Sequence, residues 1–130
     1  MERQNISSGA KWENIVGYSR AVRIGNFIEV SGTTAINEHG DIIGENNAYE
    51  QTFFIIQKIE KTLIQADATL ADVIRTRIYV TDILNWEQVA QAHVYFFGDV
   101  KPTSTMIQVS ALIDPKLLVE IEVSAHCVNS

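Results

Sequence analysis

The segment Val119–Ala125 alternates between apolar and polar side chains, and this pattern constrains the fold more than any other feature of the sequence. Because successive side chains of a strand point to opposite faces, the segment predicts a strand buried on one face and open on the other. The residues expected on the buried face are Val119, Ile121, Val123 and Ala125. The residues expected on the open face are Glu120, Glu122 and Ser124.

Two amphipathic segments can cover the buried face. Residues 48–66 place apolar side chains three and four positions apart, and Asn47 with Glu50 has the spacing of a capping box. Residues 85–97 form a second predicted helix, which ends at Gly98. Strand-like runs lie at 18–24, 27–31, 73–80, 103–111 and 117–126, with a further short strand at 42–43. The order β-β-(β)-α-β-α-β-β predicts an α+β fold in which two helices cover one face of a sheet.

The open face of this sheet is expected to be polar. In the run 103–111 we expect Thr105, Ile107 and Val109 to face the helices, which leaves Ser104 and Met106 on the open face. The side chains predicted there are Glu29, Ser31, Arg75, Arg77, Tyr79, Ser104, Met106, Glu120 and Glu122. Two interpretations stay open for this nearly charge-balanced surface: a solvated sheet face, or an oligomer surface that contains a ligand site.

Composition narrows the class of protein. The chain has 130 residues, 46% of them hydrophobic, and we treat residues 1–130 as a single domain with frayed ends. No apolar run approaches the length of a membrane span, and a net charge of −6 argues against nucleic-acid binding, so we expect neither a membrane nor a nucleic-acid partner. One cysteine excludes an internal disulfide, and the three histidines lack metal-ligand spacing. We therefore expect a cytoplasmic protein without metal or cofactor.

Four segments carry a resemblance to a known family. Lys101–Ala125 (KPTSTMIQVSALIDPKLLVEIEVSA) is similar to the C-terminal signature of the RidA/YjgF family. The segments Val16–Tyr18, Phe27–Gly32 and Ala68–Asp82 resemble further parts of it. The resemblance implies a chorismate-mutase-like fold, with one mixed β-sheet and two helices on one face. It also implies a homotrimer with a β-barrel core and small-molecule sites in the clefts between subunits. Members of the family hydrolyse enamines or imines to 2-oxo acids and ammonia without a metal.

The resemblance also assigns candidate site residues. Glu120 matches a glutamate that positions the attacking water, Tyr18 matches a cleft tyrosine, and Ser31 with Gly32 matches a pair that offers backbone groups to the ligand. Thr33 follows this pair and is expected to add a hydroxyl. Glu120 could act as a general acid and base if burial raises its pKa.

The sequence departs from the family where the substrate carboxylate would bind. Ser104 stands in place of the arginine that pairs with this carboxylate, and Met106 stands in place of a cysteine. We expect Ser104, Thr105 and Met106 to line a cleft for a bulkier or uncharged ligand. Arg77 either supplies the missing cation or pairs with acidic residues inside the oligomer.

Two functions are compatible with these residues. The first is a RidA-like hydrolase of an enamine, an imine or a related C–N compound, in which Glu120 positions the water. The alternative is a non-catalytic trimeric sensor or carrier that binds a metabolite in the same clefts. A ribonuclease activity, attributed to some relatives, is not expected from so acidic a chain.

Overall fold

The computed structural model of the chain describes residues 2–128, which form one six-stranded sheet with helices packed on one face. The strands are β1 (Arg3–Ile6), β2 (Ala21–Ile24), β3 (Phe27–Thr34), β4 (Val73–Val80), β5 (Thr103–Gln108) and β6 (Val119–His126). The helices are α1 (Lys11–Val16), α2 (Ala48–Gln65) and α3 (Trp86–Phe97). Short 3-10 helices lie at Leu70–Asp72 and Ile83–Asn85.

The sheet is mixed, as expected. Its order is β1-β2-β3-β6-β4-β5, and every neighbouring pair is antiparallel except β4 and β5, which are parallel. The parallel connection passes through α3, which is the usual solution because a parallel pair needs a long crossover. Strand β6, the most regular in sequence, lies between β3 and β4 near the centre of the sheet.

The two predicted helices cover the apolar face of the sheet. The four apolar residues of β6 are buried, whereas Glu120, Glu122 and Ser124 on its other face are only partly buried. Helix α2 contributes buried Ile55, Ile56, Ile59 and Leu63 to the same core. The Asn47 side chain accepts a hydrogen bond from the Glu50 backbone N–H at 2.9 Å, so the predicted cap is confirmed. None of the helices in residues 2–128 combines the length and apolar character that a membrane span needs.

The structure differs from the sequence-based expectation near the N-terminus and in the loops. Strand β1 and helix α1 precede the first predicted strand, and that strand begins at Ala21 rather than at residue 18. The β1 sequence RQNI is too short and polar to indicate a strand by itself. The strand predicted at 42–43 is reduced to one bridge between Ile36 and Ile42.

Candidate functional site

A β-bulge in β3 shapes the first part of the candidate site. Val30 pairs with Val123 and Thr33 pairs with Ile121, so both Ser31 and Gly32 lie opposite Glu122. The extra residue reverses the face of the sheet to which the β3 side chains after the bulge point. Thr33 is therefore buried, and its hydroxyl donates to the Ser31 carbonyl oxygen at 2.9 Å. Within one chain the Thr33 hydroxyl is therefore turned away from the open face, and its contact with a ligand stays a prediction.

Glu120 lies directly over Gly32. On β6 it pairs with Thr34 of β3 and with Tyr79 of β4. A Cβ atom on residue 32 would collide with the Glu120 carboxylate, so the glycine gives this carboxylate its space. Burial raises the pKa of Glu120; the positive charge of Arg20 lowers this pKa, and the negative charge of Glu122 raises it further. The net pKa lies above the ordinary value, which suits a group that must exchange a proton near neutral pH.

Arg20 connects the bulge to Glu120, and the sequence-based predictions did not include it. Its side chain is only 6% exposed, and its Nη2 donates to the Gly32 carbonyl oxygen at 2.6 Å. The guanidinium carbon lies 5.8 Å from the centre of the Tyr18 ring. Its Nε is buried and has no hydrogen-bond partner among residues 2–128. The available signal was a basic residue inside the predicted strand at 18–24, and Arg23 in the same strand gives the same signal.

Glu13 and Lys58 lie near Arg20, and the charge of Arg20 lowers the pKa of both. Glu13 is buried and accepts hydrogen bonds from the Ser8 hydroxyl, from the Ser7 hydroxyl at 2.9 Å and from the Ser8 backbone N–H. Burial raises the pKa of Glu13, but these hydrogen bonds and the charge of Arg20 outweigh it and hold the pKa below its ordinary value. Lys58 donates to the Ile36 carbonyl oxygen at 2.8 Å, and burial, reinforced by the charge of Arg20, lowers its pKa.

Tyr18 and Ser31 line a cleft of about 740 Å³ on the open face of the sheet. Its wall also includes Glu13, Arg77 and Glu122. Arg77 Nε lies 3.9 Å from Glu122 Oε1, which also accepts a hydrogen bond from the Tyr79 hydroxyl at 2.6 Å. Of the two interpretations of Arg77, this geometry agrees with pairing to an acidic residue.

The predicted facing of β5 is wrong by one residue. The parallel register pairs Thr76 with Ser104, and Thr76 is fully buried beneath α3, so Ser104 and Met106 lie on the helix side of the sheet. Met106 packs against the hydrophobic core. Thr105 and Ile107 instead lie on the open face, where they border a small depression of about 190 Å³. The expectation failed because β5 is an edge strand whose apolar Ile107 is 47% exposed, so hydropathy does not identify its buried face.

A chain of three polar side chains lies on the helix side of β5. The Thr76 hydroxyl is 2.8 Å from Ser104 Oγ and 3.0 Å from His93 Nε2. His93 projects from α3 and packs against the Phe97 ring, and burial lowers its pKa. His93 is half-buried, and its hydrogen bond to Thr76 could not be foreseen from the sequence.

The candidate residues therefore form two groups within one chain. We call Tyr18, Ser31, Gly32 and Glu120 the Glu120 half-site, and Ser104 with Met106 the Ser104 half-site. Ser31 on β3 and Ser104 on β5 are three strands apart, which is about 14 Å at the usual strand spacing. Since the half-sites also lie on opposite faces of the sheet, one small ligand cannot contact both within a single chain.

Comparisons with known proteins agree with the fold and extend over nearly the whole chain. The family described as Endoribonuclease L-PSP matches residues 9–127. An uncharacterized protein of Streptomyces coelicolor is 34% identical over 95% of this chain and 91% of its own length. A RutC family protein of Pyrococcus abyssi is 35% identical over 84% of this chain and 85% of its own length. A crystal structure from Mycobacterium tuberculosis, titled as a member of the highly conserved YjgF/YER057c/UK114 family, is 48% identical. It has a TM-score of 0.88 and covers 97% of this chain and 100% of its own.

Proposed function

Since this chain belongs to the YjgF/RidA family, we propose that it hydrolyses a small C–N compound, such as an imine or an enamine, in clefts between the subunits of a homotrimer. The observation that carries the proposal is the Glu120 carboxylate, half-buried over Gly32 with a raised pKa. A water held by this carboxylate adds to the electrophilic carbon while its proton passes to Glu120. Glu120 returns this proton to the nitrogen, which gives a carbinolamine; an enamine enters the step as its imine tautomer. Glu120 then takes the proton of the added hydroxyl and passes it to the nitrogen as the C–N bond breaks, so that ammonia leaves and a carbonyl group forms.

The separation of the two half-sites supports a cleft shared between subunits. Each half-site would come from a different copy of the chain, which would bring Glu120 opposite Ser104. In a ring of identical subunits, each interface joins two different surfaces of the chain. Residues from both sides of the sheet would therefore meet around one ligand.

Exposed apolar side chains support the same arrangement. Ile15 and Val16 of α1 are 68% and 69% exposed, beside the β1 end of the sheet. Leu84 and Ile107 are 83% and 47% exposed at the β5 end, where the Ile83 backbone N–H donates to the Gln108 side chain. Apolar surface at both ends of the sheet is what a head-to-tail ring buries.

An imine-clearance assay tests the proposed activity. An amine oxidase and an amino-acid oxidase generate imines without and with a carboxylate group, and release of the carbonyl product is followed with and without this protein. We expect acceleration that is lost in Glu120→Gln and retained in Glu38→Gln, a control at an exposed glutamate in a turn. Acceleration that survives Glu120→Gln would contradict the role of this carboxylate.

A trimeric sensor or carrier remains the second candidate, and the replacement of the family's arginine by Ser104 favours it. A carrier requires the cleft but not proton transfer. Under this alternative neither kind of imine is turned over, and a metabolite that copurifies with the protein binds equally well to Glu120→Gln.

A further inference from the structure

We propose that Ser104, Thr76 and His93 form a neutral hydrogen-bonding site, which selects ligands with an uncharged carbonyl or amide group at the Ser104 half-site. This inference rests on the proposed function, because it names the ligand chemistry of one half of the same cleft. Its basis is the chain of contacts in which the fully buried Thr76 hydroxyl lies 2.8 Å from Ser104 Oγ and 3.0 Å from His93 Nε2.

The single proton of the Thr76 hydroxyl makes the three groups interdependent. If Thr76 donates to His93, the Ser104 hydroxyl must donate to Thr76 and offers only lone pairs to a ligand. If His93 Nε2–H donates to Thr76, Thr76 donates to Ser104, and the Ser104 proton is free for a ligand carbonyl. Ser104 can therefore present either a donor or an acceptor, which matches an amide or a carbonyl.

The charge of the surroundings favours a neutral ligand group. The side chains that form this chain of contacts or share its face of β5 are two hydroxyls, the Met106 thioether and the His93 imidazole, whose pKa burial lowers. In a cleft closed by a second subunit, a carboxylate placed here would lose hydration without gaining a cation from these four side chains. Ser104 is itself exposed, so the site is accessible from outside the subunit.

Methionine methyl NMR can test this preference without knowledge of the natural substrate. The chain contains two methionines, and Met106 lies two residues from Ser104 on the same face of β5. We expect isobutyramide to shift the Met106 methyl signal of the full-length protein with an affinity at least about fivefold tighter than isobutyrate. Met106→Leu assigns the signal. Equal or tighter binding of isobutyrate, or no response to isobutyramide, overturns the proposal.

Two variants test whether the Ser104 hydroxyl itself contributes to ligand binding. Ser104→Ala should weaken isobutyramide about three- to tenfold, as expected for one neutral hydrogen bond. Ser110→Ala, at an exposed serine beyond β5, should have no effect. An unchanged affinity in Ser104→Ala overturns the proposal, provided that its methyl spectrum shows a folded protein.

The protonation pattern of His93 provides a readout that a purely structural role would not affect. A ligand carbonyl that accepts from Ser104 requires the proton of His93 on Nε2, so saturation with isobutyramide should shift the ¹⁵N spectrum of His93 toward this tautomer. If His93 carries its proton on Nδ1 when isobutyramide is saturating, the chain of donors is contradicted.

Ser104→Arg distinguishes failure of this inference from failure of the proposed function. If the Ser104 half-site lines the ligand cleft, an arginine there should bind isobutyrate and reverse the preference. Reversal in Ser104→Arg without isobutyramide binding by the unmodified protein overturns only the neutral site. No gain of isobutyrate binding in Ser104→Arg counts against the cleft itself.

Discussion

A methyl group added at residue 32 should displace the Glu120 side chain while leaving the fold intact. The new Cβ of Gly32→Ala would overlap the Glu120 carboxylate, which is the far end of a flexible side chain and can rotate away. Overpacking costs about 1–3 kcal/mol, and because the carboxylate can rotate away we expect a loss of about 1 kcal/mol. For a chain of this size the melting temperature should fall by about 4 °C.

A double-mutant cycle isolates the contact between residues 32 and 120. In a Glu120→Ala background the added methyl group meets no carboxylate, and the reduced flexibility of the unfolded chain should stabilise the protein by about 0.5 kcal/mol. The difference between the two backgrounds predicts a coupling free energy of about 1.5 kcal/mol. Urea unfolding of the four proteins at one fixed concentration measures it.

Gly40→Ala is the matched control for this cycle. Gly40 has a φ of 85° and open space around its Cβ position, so alanine there should cost about 1 kcal/mol through backbone strain alone. This cost should be the same with Glu120 or with alanine at residue 120. If Gly32→Ala also costs the same in both backgrounds, Glu120 does not lie over Gly32 as described.

Three further predictions concern the charged groups around this contact. Because Glu120 has a raised pKa, its ionisation destabilises the folded state, so Glu120→Gln should be more stable than the unmodified protein at neutral pH. This advantage should disappear in urea unfolding below the ordinary carboxyl pKa of 4.5, and no gain at neutral pH would count against a desolvated carboxylate. Arg20→Gln should raise the pKa of Glu120 further, which ¹³C NMR of labelled glutamate can measure. An unchanged Glu120 pKa in this variant would show that the charge of Arg20 does not act on Glu120. Glu13 has a lowered pKa, so its contribution to stability is present above pH 4.5 and is lost as the pH falls through the lowered value. Glu13→Gln should remove this part of the loss of stability at low pH. If the free energy of unfolding falls with pH in Glu13→Gln as it does in the unmodified protein, the role of Glu13 is contradicted.

The elements that could be predicted from the sequence are those with one buried, apolar face and one exposed, polar face. Strand β6 is apolar on one face and polar on the other, and α2 has one apolar stripe with a capping residue at Asn47, so local pattern and tertiary position agree. Glu120 was placed correctly on the open face for the same reason.

Sequence-based prediction was wrong or incomplete where the burial of a side chain does not follow the hydropathy pattern. Strand β5 is exposed on both faces except at Met106, so hydropathy does not place Ser104 and its side depends on the register with β4. The bulge at Ser31 and Gly32 moved Thr33 into the core, and one extra residue in a strand leaves no hydropathy signal. Arg20 is buried because Gly32 supplies a carbonyl acceptor, a partner twelve residues away that no local pattern indicates.

The meeting of the two half-sites between subunits can be measured without any substrate. A Ser31→Cys/Ser104→Cys double variant places one thiol in each half-site, and Cys127 is buried, which leaves the two new thiols as the accessible pair in residues 2–128. A short thiol-reactive cross-linker should convert the protein to covalent multimers up to a trimer on a denaturing gel, whereas each single variant should stay largely monomeric. If the double variant remains monomeric in a solution that contains the oligomer, the two half-sites do not meet between subunits and the shared cleft is wrong.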